Sequence, residues 1–258
     1  MSTTSSIPAT LETFRRPFRR TLGFSVRVGL VLIVVFTAVR VALVLQANAT
    51  GSYQATSFIF IAMAALPFIV LTREGRRRIG IVRPSRWRWV PVALLAGAGC
   101  ATAVYTIGSL LYGSGIENPF AYIARSYSAV PTELSDQSRL IFFVIFAVIG
   151  MSFSPIGEEL FYRGLVHESL ATGWGSRRAA LTEAGAFALA HLAHFGIVYV
   201  AGSWGFLPVP ALIWVIAMFL SSLVFYGFRV LSGSLLGAII AHAGFNLVMN
   251  FIIFYLLL

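Results

Sequence analysis

Phe153-Ser154-Pro155-Ile156-Gly157-Glu158-Glu159-Leu160-Phe161-Tyr162-Arg163-Gly164 closes a long apolar run with two adjacent carboxylates and a guanidinium. Ionisable groups at membrane depth are costly and mark a functional site by default. On a helix Glu159 and Arg163 stand four apart on one face, where they can pair. Glu158 is turned roughly 100° away from Glu159 and is left to point elsewhere. One carboxylate braced and its neighbour free suits a catalytic helix. The plainer alternative is a helix end emerging into water near the headgroups.

Composition fixes the class around this stretch. Apolar residues make up 58% of the 258 and charged residues only 11%, with a mean hydropathy of +0.86; soluble domains carry about a quarter charged residues. Apolar runs of about 20 residues recur, as in a helical protein that crosses a membrane several times. All 19 basic residues are arginines, most of them between apolar runs, where they set orientation and meet anionic headgroups rather than nucleic acid. The lone Cys100 offers neither a disulfide nor a thiolate metal site within one chain.

These runs predict an all-α, polytopic transmembrane bundle of about seven spans: 26–45, 53–71, 90–111, 139–170, 179–200, 210–228 and 235–257. An eighth helix arises if the carboxylate segment divides in two, and residues 117–127 are candidates to dip into the interface. Residues 1–23 form a basic leader, 24–138 an amino-terminal scaffold, and 139–258 the core that carries the chemistry. Ala47-Asn48-Ala49 has the small-residue pattern of a signal-peptidase site, but the long leader favours an uncleaved anchor. Arg27 and Arg40 interrupt the first run, and both are expected to snorkel to headgroups. Pro155 is expected to kink the fourth span. Seven arginines between Arg73 and Arg88 put that loop in the cytoplasm, and 15 of 19 arginines then lie within or beside cytoplasmic ends. The amino terminus is thus expected inside a cell membrane and the carboxyl terminus outside. His167, beside Glu168, is expected at headgroup level.

Partners for Glu158 come from later spans. Phe187 and His191 are four apart on the fifth, with His194 on the same face; His242, Asn246 and Asn250 stack along the seventh. Buried polar side chains need partners, so these faces should turn to one polar cavity. Such a set can activate water and stabilise an oxyanion: Glu158 as base, His191 as helper, His242 and Asn246 as donors. The same Glu158, His191 and His242 can instead bind zinc and let metal-bound water attack. The residue types serve either mechanism. No His-Glu-x-x-His occurs, and Asp136 is the only aspartate, which leaves an aspartyl mechanism without its pair. A transporter, or a binding or regulatory membrane protein, is the non-enzymatic alternative; no inverted repeat is evident.

Glu158-Glu159-x-x-x-Arg163, Phe187-x-x-x-His191 and His242-x-x-x-Asn246, in this order, resemble the CAAX protease and bacteriocin-processing family of intramembrane endopeptidases. The resemblance covers about residues 139–252. It implies a helical membrane protease with a polar chamber open to the cytoplasm, acting on a membrane-associated protein or peptide and surrounded by lipid. It assigns Glu158 to water activation, His191 to its assistance, His242 and Asn246 to the oxyanion, and Glu159 and Arg163 to support. The family is often described as metalloproteases, with a metal-free glutamate mechanism as the competitor. Some of its bacterial members are linked to bacteriocin maturation or self-immunity, so a non-catalytic immunity factor is the runner-up.

Overall fold

A computed structural model describes residues 13–127, 130–131 and 133–258; the start of the basic leader and three positions of the loop before the carboxylate helix lie outside it. Its helices are α1 (Val26–Thr50), α2 (Gln54–Val70), α3 (Arg73–Arg78), α4 (Trp89–Tyr112), α5 (Pro119–Arg125), α6 (Asp136–Glu158), α7 (His167–Trp174), α8 (Ser176–Ala190), α9 (Pro208–Ser232) and α10 (Leu235–Ile252). A π-helical stretch, Glu159–Val166, joins α6 to α7 without a break.

The expectation of about seven spans is corrected. Among the described residues, five helical stretches are long and apolar enough to cross a membrane: α1, α4, Asp136–Trp174, α9 and Leu235–Leu257. The second apolar run yields only the 17 residues of α2. The fifth stops at Ala190, where a 3-10 turn at His191–Ala193 gives way to a hairpin of β1 (Ile197–Val200) and β2 (Ser203–Phe206). Its two-residue turn has positive φ at both Ala201 and Gly202, the backbone that twists with the strands. Apolarity alone does not distinguish a spanning helix from one that ends early against its neighbours.

The chain nevertheless alternates between two ends of the bundle. At the arginine end, the backbone of Thr13 and Arg15 pairs with Val70 and Thr72, which sets the leader beside the end of α2. The loop after α3 caps the α9–α10 turn: Leu235 N donates to Gly80 O, Ser85 N to Ser232 O, and Arg86 Nη2 to Val230 O at 2.7 Å. Ser234 caps α10 by accepting from Leu236 N. Arg78 meets Glu168 at 2.6 Å. At the far end lie Gly51–Tyr53, α5 and the hairpin. Asn118 caps α5, six of whose seven residues are buried.

Backbones touch where glycine allows it. A Cβ on Gly97 (α4) would collide with the carbonyl of Ala241 (α10), one on Gly244 with that of Leu94, and one on Gly157 (α6) with that of Phe60 (α2). Without a hydrophobic drive between helices in lipid, such close packing is what holds them together. The contrast with Gly99, which has open space around its Cβ position, supplies a test. Gly97→Ala should lower the thermal unfolding midpoint in detergent, by a destabilisation of about 1–3 kcal/mol. Gly99→Ala should leave it unchanged or raise it, because alanine is the better helix former.

Candidate active site

Pro155 does not break its helix. The turns just beyond it widen into the π-helical stretch, which begins at Glu159; such bulges gather at functional sites. Glu158 and Glu159 point to different partners. Glu159 Oε1 lies 3.0 Å from Arg163 Nη1 and accepts from His242 Nδ1 at 2.8 Å. Arg163 is fully buried and donates from Nη2 to Ser222 Oγ at 2.6 Å. Phe187 and Phe225 cover its guanidinium at 4.5 and 5.7 Å, replacing part of the lost hydration by cation–π attraction.

Glu158 turns to α1. Its Oε1 lies 2.8 Å from Arg40 Nη2, and its Oε2 accepts from Ser154 Oγ at 2.7 Å. Arg40 therefore does not snorkel: it is 1% exposed, and the same Nη2 lies 3.2 Å from His191 Nε2 and 3.4 Å from His194 Nε2. The reason is local. Arg40 stands mid-helix, far from either end of α1, and an unpaired carboxylate of opposite charge lies across the interface.

His191 sits where α8 gives way to the 3-10 turn. Its Nδ1 bonds Phe187 O at 2.7 Å, so Nδ1 carries the proton and the Nε2 lone pair faces Arg40. This accounts for the four-residue spacing of Phe187 and His191: the phenylalanine carbonyl fixes the imidazole while its ring covers Arg163. Trp214 Nε1 donates to His191 O at 3.0 Å. His242 stacks on Phe225 at 4.9 Å, and its Nε2 lies 3.7 Å from Glu158 Oε2. Asn246 Nδ2 donates to Gly150 O at 2.8 Å.

His191, His242 and Asn246 line one chamber of about 560 Å³, together with Arg40, His194, Ser154 and Asn250. Glu158 is fully buried behind Arg40, Ser154 and His242 and does not line it. The chamber does not open at the arginine end, contrary to what the resemblance implied. Its lining runs out to the exposed Gly51, Ser52 and Gln54 and to Ser126 and Tyr127, all at the far end, and includes no residue of the arginine-rich loop. The backbone bonds between that loop and the α9–α10 turn close the other end. Ile149 and Phe153 line the chamber and are also exposed on the outside of α6, so its side wall reaches the lipid-facing surface.

His167 corrects a further expectation. It is buried, with Nδ1 3.3 Å from Glu183 Oε2, while Glu168 serves Arg78. The sequence reading also missed Arg40, Ser154, Ser222 and Phe225 as parts of the site. An arginine in mid-span was the one available signal.

Zinc does not fit these residues. A divalent ion would need Glu158, His191 and His242 to converge, but Arg40 Nη2 stands between Glu158 and His191, and His242 Nδ1 is held by Glu159. Among the described residues, no group of three His, Cys, Asp or Glu side chains is placed to hold a metal.

Fold and site together define a helical membrane protein with a buried cluster of carboxylates, arginines and histidines beside a membrane-depth chamber. Within that class the chain matches the Rce1-like family, described as type II CAAX prenyl endopeptidase Rce1-like, over residues 140–248. The match takes in all three motifs; α1 to α5 lie outside it. No curated protein and no solved structure matches the chain.

Removing one member of a buried ion pair strands the other. Arg163→Met should destabilise the protein by roughly 3–5 kcal/mol, and Arg163→Met with Glu159→Gln by much less. Detergent-phase thermal unfolding of the two variants measures the difference.

Proposed function

We propose that this protein is an intramembrane endopeptidase that hydrolyses a peptide bond of a membrane-associated protein or peptide. The observation that carries the reading is the placement of Glu158. Its Oε2 accepts from Ser154 and faces His242 Nε2 at 3.7 Å, next to a chamber lined by His191 and Asn246. The family match supports the same class of reaction.

In this mechanism Glu158 takes a proton from water as the water oxygen bonds to the scissile carbonyl carbon. The carbonyl π pair moves onto oxygen, and Asn246 keeps one amide N–H to meet it. Collapse breaks the C–N bond, and the proton passes to the departing nitrogen. Glu159 and Arg163 act through His242, holding its ring. His191 presents its Nε2 lone pair beside the base. No step is routed through a metal.

Orientation follows from charge. Fifteen of 19 arginines lie within or towards one end of the bundle, and cytoplasmic loops carry the excess of basic residues. The amino terminus is therefore cytoplasmic, the carboxyl terminus exterior, and the chamber opens outward. Substrate then arrives from the outer side or through the lipid-facing wall at Ile149 and Phe153. In a Cys100→Ser background, Ser52→Cys should react with an impermeant maleimide on intact cells, and Glu74→Cys only after permeabilisation. The reverse pattern would invert the orientation.

A second reading has one observation in its favour. Glu158 is held by Arg40 behind the chamber wall, an arrangement that a non-catalytic binding protein, such as an immunity factor, would tolerate. The two readings part on cleavage. Protein reconstituted in liposomes with a library of membrane-anchored peptides should cleave a subset of them. Glu158→Gln should fall to background while staying folded, because an amide does not accept the proton. His191→Ala should be comparably impaired, and Asn246→Ala should lose roughly 10²–10³-fold in kcat. Cleavage by Glu158→Gln at the wild-type rate would sink the protease reading.

A further inference from the structure

Arg40 is the one member of the charged cluster that lies outside residues 140–248, so none of the three motifs accounts for it. It has five N–H donors. Nη2 hydrogen-bonds His191 and His194 and lies in ion-pair contact with Glu158, whereas Nε and Nη1 are buried with no hydrogen-bond partner. Buried donors without acceptors are rare and costly, most of all on a charged group. The Phe60 ring, 5.7 Å from the guanidinium, offers only its π face. The side chain lines the chamber, and its unpaired donors lie just beneath the chamber wall, where an acceptor meets them once the wall gives way.

The two donors assigned to the oxyanion by resemblance are partly engaged. His242 Nδ1 is committed to Glu159, which leaves its Nε2 without a proton unless the ring is an imidazolium. Asn246 spends one amide N–H on Gly150 O. A guanidinium is always charged and needs no proton from the reaction. At a buried position, a fixed cation stabilises developing negative charge far more than it would in solvent.

We propose that Arg40 is a catalytic residue of this chain, whose unpaired Nε–H and Nη1–H bind the oxyanion formed from the scissile carbonyl while Nη2 stays beside Glu158. The assignment rests on the protease reading for its reaction. The bound species is a tetrahedral anion, however, and its binding is measurable without cleavage. Arg40 would thus couple base and oxyanion site through one planar group, a combination that lysine's single ammonium does not reproduce.

The test compares binding of a hydrophobic peptide phosphinate, which mimics the tetrahedral anion, with binding of the matching uncleaved amide peptide in detergent. Wild type should prefer the phosphinate by about 10²-fold or more, within the range for transition-state analogues. Arg40→Gln should lose that preference, read as the ratio of the two affinities, and Arg40→Lys should keep part of it. Because Arg40→Gln strands a buried carboxylate and can unfold the protein, the same comparison is made in a Glu158→Gln background. There Glu158→Gln alone should retain the preference, and Glu158→Gln with Arg40→Gln should not. No phosphinate preference in wild type, or an undiminished one in the double variant, overturns the assignment. An Arg40-dependent preference in a protein that cleaves no peptide would instead overturn the protease reading and leave the anion site standing.

Discussion

Two carboxylates buried in the low-dielectric interior must each find a cation, and the arrangement of this molecule follows from how they do so. A lone charge at that depth would lose its hydration at prohibitive cost. Glu159 is matched by Arg163 one turn along its own helix, and Glu158 by Arg40 from the first helix. The first pairing is local and would form in any helix of this sequence. The second is not: it requires α1 to lie against the π-helical stretch that follows α6, with Arg40 at the depth of Glu158. The aromatic residues complete the enclosure. Phe187 and Phe225 cover the Arg163 guanidinium, and Phe225 also stacks on His242, so cation and imidazole share one apolar wall.

The bundle is asymmetric along its length. Backbone bonds from the loop after α3 close the arginine end, whereas the far end keeps a polar-lipped chamber rimmed by the α1–α2 turn and α5. Helix capping contributes to both ends: Ser234 fixes the closed turn, and Asn118 orients α5 at the open rim. The charged cluster thus sits beside the floor of a cup that is open at one end, and the arginine-rich loops close the other.

The parts of this organisation legible in the sequence are those with a local physical signature. The pairing of Glu159 with Arg163 and the shared face of His242, Asn246 and Asn250 follow from helical spacing. The gathering of His191 and His242 beside the carboxylates follows from the cost of leaving them in lipid. What the sequence concealed was non-local. Arg40 read as a snorkelling residue because nothing near it in the chain announces a carboxylate more than a hundred residues away. His167 read as solvated because its partner, Glu183, lies on the next helix. The number of spans was overestimated because α2 is apolar but short, and α8 is short and carries charge at Arg177, Arg178 and Glu183; where a helix stops is decided by its neighbours. The side on which the chamber opens depends on loop packing, which hydropathy does not encode.

The pairing of Arg40 with Glu158 also bears on how the protein is made. A chain emerging from the ribosome delivers α1 long before α6, so α1 must enter the bilayer with an arginine near its middle and no counter-ion yet available. Insertion scales put that burden at about 2.5–3.5 kcal/mol, which the apolar residues on either side of Arg40 in α1 outweigh. The incoming carboxylate segment then meets a cation already at depth, which draws it into register. The charge that organises the finished site thereby acts first as a docking signal between two helices inserted at different times.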